Sequence, residues 1–279
     1  MSDVATLYFS WQQVGPLHSG YGYTLAQAVG KIQLGARRSA QLETHPDAGA
    51  PLTPAFLASS VKGVFRAASA WLVERTARQL GATTYATCDY QGAVPKRWRK
   101  RFDVPKTKEF CPVCRVYGGA GCLSAVRPGK DETLRRQVSR VRFTFRDADD
   151  ALHGSAAWGR KQTFAWEKAS GKTGRLEIEN FEPPAQPSPR LEVRVDRADD
   201  FALALVTLSA DLIGSGLFRF GRFVSRGYGS VQLSLTRGEY TGLDVLLREG
   251  KTKTWKVPDL EEMRTNVRTL TEDWLNSWA

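Results

Sequence analysis

Apolar and polar residues alternate with period two in four stretches of the chain. Leu7, Phe9 and Trp11 oppose Tyr8, Ser10 and Gln12. Val141, Phe143 and Phe145 oppose Arg142, Thr144 and Arg146. Leu191, Val193 and Val195 form a third set, and Val231, Leu233 and Leu235 against Gln232, Ser234 and Thr236 a fourth. Each reads as a half-buried strand. Between the first and second, Leu57, Val61, Val64, Phe65, Ala68 and Leu72 recur at helical spacing, which predicts a helix over Pro51 to Gly81. Thr53 suits its cap, Pro54 its first turn and Gly81 its stop. Between the third and fourth, Asp199 or Asp200 can cap a helix carrying Leu205, Leu208 and Leu212. A last helix, within 258–279, opens on Asp259 with Glu262 three residues on and carries Leu260, Met263, Val267, Leu270, Trp274 and Trp278.

Three regions interrupt this pattern. Residues 15–50 are irregular, beginning with a glycine-bearing loop that contains His18. Residues 82–138 hold every cysteine and two basic clusters with little periodicity, as expected of an insertion without a core of its own. Residues 155–189 are polar with a proline-rich end, which suits an exposed hairpin arm. Strand, helix and strand, twice over, predict an α+β fold with a ferredoxin-like (RRM-like) sheet covered on one side by helices. The expected organisation is a single domain, 1–279, bearing the insertion and the arm.

Composition narrows the class of partner. Lysine and arginine outnumber aspartate and glutamate 40 to 29, a net charge of +11. The surplus favours a polyanion, nucleic acid before an acidic membrane surface. No run approaches the roughly 18–20 apolar residues of a membrane span, and the first residues do not read as a signal peptide. The expected location is cytoplasmic, where cysteines serve more often as ligands or thiols than in disulfides.

Four cysteines, Cys88, Cys111, Cys114 and Cys122, fall within 35 residues. The two-residue gap between Cys111 and Cys114 lets two thiolates turn onto one ion, and four sulfurs suit a closed, structural Zn²⁺ site. Buried thiols or a redox pair are the alternatives. Between Cys88 and Cys111, the run PKRWRKRF interleaves Arg97, Arg99 and three further cations with Trp98 and Phe102. Such a run can hold phosphates and stack on bases, or be a solvated charge run. Ser59, Lys62 and Arg66 share a polar face of the first helix. Five glycines and three arginines, among them Arg222 and Arg226, lie between Gly214 and Leu233 with no acidic residue. That loop suits a phosphate-approaching backbone or a basic hairpin. It lacks the GKS or GKT of a nucleotide-hydrolysing loop.

Four segments together resemble the RAMP superfamily of CRISPR-associated proteins, and look closest to the RNA-binding subunits of type III effector complexes. ASSVKGVFR (58–66) resembles the family's SSxKGxxR helix. CPVCRVYGGAG (111–121) is similar to its CxxCRxFG segment. SRVRF (139–143), followed by Asp147 and Ala148, is similar to the SR strand with its DA ending. FGRFVSRGYGSV (220–231) resembles the C-terminal glycine-rich loop. They occur in family order. The resemblance implies a crRNA-binding structural subunit in antiviral defence, partnered by crRNA, target RNA and other effector subunits. It implies that Ser59, Ser60, Lys62 and Arg66 face the crRNA backbone. It also implies that the loop containing Gly227 and Gly229 buttresses that surface, and that 155–189 form a thumb hairpin wedged into the guide–target duplex. Target-cleaving members carry an aspartate in the loop before the SSxKG helix. The corresponding region here, near Arg37 to Glu43, has none, Asp47 lies close to the helix, and Glu43 is a weak substitute. A binding role without cleavage is therefore expected. The alternatives are a RAMP endoribonuclease, with His18 as general base, and an unrelated zinc-stapled RNA-binding module.

Overall fold

A computed structural model describes residues 3–14, 58–83, 85–87, 110–120, 136–146, 158–167, 173–181, 190–221, 229–242, 253–254 and 259–276. In chain order these form strand β1 (Val4–Gln13), helix α1 (Ala58–Gln79), helix α2 (Pro112–Tyr117), and the short strands β2 (Gly119–Ala120) and β3 (Arg136–Gln137). Strand β4 (Val141–Arg146), the pair β5 (Trp158–Glu167) and β6 (Thr173–Phe181), and strand β7 (Arg190–Asp196) follow. Helix α3 (Asp200–Gly214), strand β8 (Val231–Thr241), the short strand β9 (Lys253–Thr254) and helix α4 (Leu260–Asn276) complete the chain. The α+β expectation holds.

The main sheet runs β4-β7-β1-β8, with β9 at the edge beside β8. Every pairing is antiparallel. The alternation read from the sequence sets its register. Ala5, Leu7, Phe9 and Trp11 are buried, as are Leu191, Val193 and Val195 beside them and Val141 and Phe143 beyond. A one-residue slip would turn all of these to solvent, so burial of one face fixes the register.

Helices lie against that apolar face. The Phe65 ring of α1 meets Phe9 at 6.3 Å and Phe143 at 4.9 Å between centroids. α1 ends as its sequence predicts: Ala82 N–H donates to Ala77 O and Gly81 N–H to Arg78 O, the two bonds of a Schellman closure. α3 starts at Asp199, whose carboxylate accepts the Ala202 N–H at 2.8 Å. Every residue from Phe201 to Ala210 is buried, because α3 is packed by β8, α1 and α4 at once. α4 forms an outer layer on α3 and α1. Asp259 caps it through the Glu262 N–H at 2.8 Å. Met263, Val267 and Trp274 face inward, but Leu260, expected on the stripe, is 45 % exposed. Trp278 lies outside the described residues. No described helix is long and apolar enough to cross a membrane.

β5 and β6 pair with each other, from Trp158↔Phe181 to Glu167↔Thr173, and among the described residues join no other sheet. This pair falls within 155–189. Cys111, Val113, Cys114, Val116 and Tyr117 are each no more than 1 % exposed and belong to the main core. α2 docks on α1 and α4.

Candidate nucleic-acid interface

Antiparallel pairing places the C-terminal ends of β1 and β4 and the N-terminal ends of β7 and β8 at one end of the sheet. From that end leave the chain after Val14, which contains His18, the chain between β4 and β7 with its hairpin, and the glycine-rich loop before β8. The loop is held shut at its base. Phe220 N–H donates to Gly229 O at 2.9 Å, and Val14 N–H donates to Ser230 O at 3.0 Å. Gly229 has φ +83, and a Cβ there would lie 2.0 Å from the Phe220 carbonyl oxygen. Only glycine permits both the backbone conformation and the approach. The Phe220 ring beneath it packs on Trp11 at 4.7 Å, and Trp11 meets Phe145 edge-on at 5.0 Å. The loop's anchor is therefore continuous with the core of the sheet. Arg222, Arg226 and Gly227 lie outside the described residues.

On α1, Lys62 is half-buried. Burial, and then the nearby Arg66 charge, lower its pKa. Arg66, one turn on, reaches across to α2. Its Nη2 donates to Cys114 Sγ at 3.2 Å, and its Nη1 donates to the carbonyl of Gly118. Ser69, a turn further, donates to the Tyr117 hydroxyl at 2.9 Å and shares a 2.7 Å bond with Ser209 of α3. Burial pushes the Tyr117 phenol well up, so it stays a neutral hydroxyl. Near the end of α1, the buried Glu74 accepts from both N and Oγ1 of Thr87, at 2.6 and 2.9 Å. That contact anchors the chain just before Cys88.

α2 begins at Cys111, with Pro112 in its first turn, and the Gly118 N–H closes it onto Cys114 O at 2.9 Å. Cys111 and Cys114 are buried and form no disulfide. Arg115 turns the other way: its Nε donates to Phe110 O at 3.0 Å and its guanidinium lies 5.5 Å from the Trp274 ring of α4. Trp274 in turn donates to Ala86 O at 3.0 Å. Arg140, at the entry to β4, donates its backbone N–H to Val116 O at 2.9 Å. Its side chain bonds the carbonyls of Asp196 and Arg197 and the Asp199 carboxylate. It therefore latches β4, α2 and the cap of α3 together.

The structure thus joins three expected pieces, the polar face of α1, the cysteine segment and the SR strand, into one connected substructure. The fourth, the glycine loop, is rooted through Phe220 and Trp11 in the same core. Ser59 and Ser60 fall in the first turn of the described part of α1. Cys88, Cys122, Arg97, Arg99, His18, Glu43 and Asp47 lie outside the described residues. Among those described, no three His, Cys, Asp or Glu side chains form a metal-binding group. The sequence reading missed the Arg66–Cys114 contact, because helical spacing gives a residue's face but not how far its side chain reaches. It also missed the arginines on the sheet surface away from the helices. There Arg142 sits opposite Arg194, and both pair with Asp196 at 3.0 Å. Arg237 covers the Tyr8 ring at 4.2 Å. Alternation marks Tyr8 and Arg142 as solvent-facing, without their charge or ring partners, and does not reach Arg237. No protein-family model and no curated protein matches the chain.

Proposed function

We propose that this chain is an RNA-binding structural subunit of a type III-like CRISPR effector ribonucleoprotein, which holds crRNA along a basic face and supports pairing with target RNA. The observation that carries the reading is the connection between segments far apart in sequence. The helix with Lys62, the CxxCR segment and the SR strand are bonded to one another, and the glycine loop is pinned to their shared core. The strand order β4-β7-β1-β8, with α1 after β1 and α3 after β7, supports the reading of a ferredoxin-like sheet. The β5–β6 ribbon suits the thumb. Lys62, Arg222 and Arg226 supply phosphate contacts, with Ser59 and Ser60 adding hydroxyl donors. Arg97 and Arg99 extend the basic surface.

In this reading Zn²⁺ suits the described residues. Two buried thiols sit at the start of a helix with two residues between them, and a guanidinium N–H donates to one sulfur. Cys88 and Cys122 complete the set in this reading. A zinc ion there would staple the 82–138 segment to the core.

The function is tested by binding of a repeat-derived guide RNA to the purified chain across a salt series. Lys62→Ala and Arg226→Ala should each weaken binding and flatten the dependence of log affinity on log salt by about 0.7 per lost phosphate contact. Wild-type affinity and slope in both variants would remove the basic-face assignment.

A further inference from the structure

We propose that Arg66 is a positioning residue of the cysteine site, holding the Cys114 sulfur in its metal-binding place while fixing the end of α2. The inference rests on the reading of Cys111 and Cys114 as zinc ligands and extends it to a residue on a different element. The guanidinium spans two acceptors at once, Cys114 Sγ at 3.2 Å through Nη2 and the Gly118 carbonyl through Nη1. Gly118 closes α2 onto the backbone carbonyl of the same cysteine. One side chain therefore fixes both the ligand sulfur and the turn that carries it.

The sulfur is enclosed from another side as well. A Cβ on Gly119 would stand 3.0 Å from Cys114 Sγ. Cys114 itself is 1 % exposed. An N–H donor to a ligating sulfur fixes the orientation of that ligand. The fork geometry explains why arginine stands here. A lysine ammonium keeps the charge but cannot present two coplanar donors to two acceptors. Arg115, next to Cys114 in sequence, is committed to Phe110 and Trp274 on the other side.

The test uses the full chain, purified with its metal. Zinc is counted by elemental analysis and its affinity measured by competition with a chromophoric chelator. Replacement by Co²⁺ gives a sulfur-to-metal charge-transfer band that reports the ligand set. Wild type should hold about one zinc per chain. Arg66→Met, which keeps the apolar stem, should bind zinc about 10- to 100-fold more weakly, with a shifted charge-transfer band. Arg66→Lys should fall between, and Arg264→Ala, at an exposed position of α4, should match wild type. Wild-type zinc affinity and an unshifted cobalt band in a folded Arg66→Met protein overturn the inference while leaving the zinc reading intact. If Arg66→Met does not fold, the same criteria apply to Arg66→Lys. A wild-type chain that purifies without zinc and with four titratable thiols overturns the zinc reading, and the inference with it.

Discussion

Replacing Gly229 by alanine should destabilise the chain far more than the same change at another left-handed glycine. The added Cβ would stand 2.0 Å from the Phe220 oxygen, 2.8 Å from its nitrogen and 2.9 Å from its carbonyl carbon. These are backbone atoms, so no rotamer change relieves the overlap. Three costs combine. The φ of +83 penalises any Cβ by about 1–2 kcal/mol. Opening the Phe220–Gly229 hydrogen bond costs about 0.5–1.5 kcal/mol. Displacing the buried Phe220 ring from Trp11 is an overpacking strain of about 1–3 kcal/mol. The total is about 2.5–6.5 kcal/mol, or a fall in melting temperature of about 5–26 °C at about 2–4 °C per kcal/mol. Two controls isolate the terms. Gly216 has φ +81 with nothing within 4 Å of a Cβ, so Gly216→Ala should cost only the backbone term, about 1–2 kcal/mol. Gly63, within α1, also has open space, and Gly63→Ala should stabilise by about 0.8–1.0 kcal/mol. Thermal unfolding of the three variants by far-ultraviolet circular dichroism reads out the series. A Gly229→Ala melting temperature within about 2 °C of Gly216→Ala would refute the close approach at the loop base.

Two further predictions concern buried polar groups. Burial raises the Glu74 pKa above its ordinary 4.5, against opposing hydrogen bonds from the Thr87 and Ala86 segment and the Arg78 charge. The folded state thus holds its proton more tightly than the unfolded state. Stability should fall as pH rises from about 4.5 through the raised value, and Glu74→Gln should flatten that slope in urea titrations. Equal slopes in the two proteins would contradict the burial argument. Tyr117→Phe removes one end of the hydroxyl chain but leaves Ser69 bonded to Ser209. It should lower unfolding stability by about 0.5–1.5 kcal/mol, and a loss above about 3 kcal/mol would mean that the phenol does more than satisfy Ser69.

Much of the architecture follows from local pattern. The buried faces of β1, β4 and β7, the stop at Gly81 and the caps at Asp199 and Asp259 each depend on residues a few positions apart, where sequence and geometry are tightly coupled. β8 shows where this ends. Its alternation is clear through Leu235, then breaks, yet the strand continues to Thr241. The register shifts between Tyr8 and Phe9, so that Leu235 faces Phe9 and Arg237 faces Tyr8. Thr236 is left as the extra residue, and its hydroxyl donates to Tyr8 O at 2.8 Å. After the bulge the inward phase passes to Gly238, which is buried, and Tyr240, which packs on the core. A period-two reading cannot cross such a shift. Leu260 fails for a related reason: it is the first residue of α4, before the helix lies against its neighbours. Arg66 was legible as a member of a polar helical face, but its partner is 48 positions away. The docking of Cys111 to Tyr117 into the main core was likewise hidden, because it depends on Arg66, Ser69 and Arg140 from other elements.

The central claim, that the chain holds guide RNA, is tested most directly by sequencing the RNA that co-purifies with it from its native cells. The account predicts a discrete population of short RNAs carrying CRISPR repeat sequence, depleted in Lys62→Ala. RNA of random sequence, or none, would contradict it.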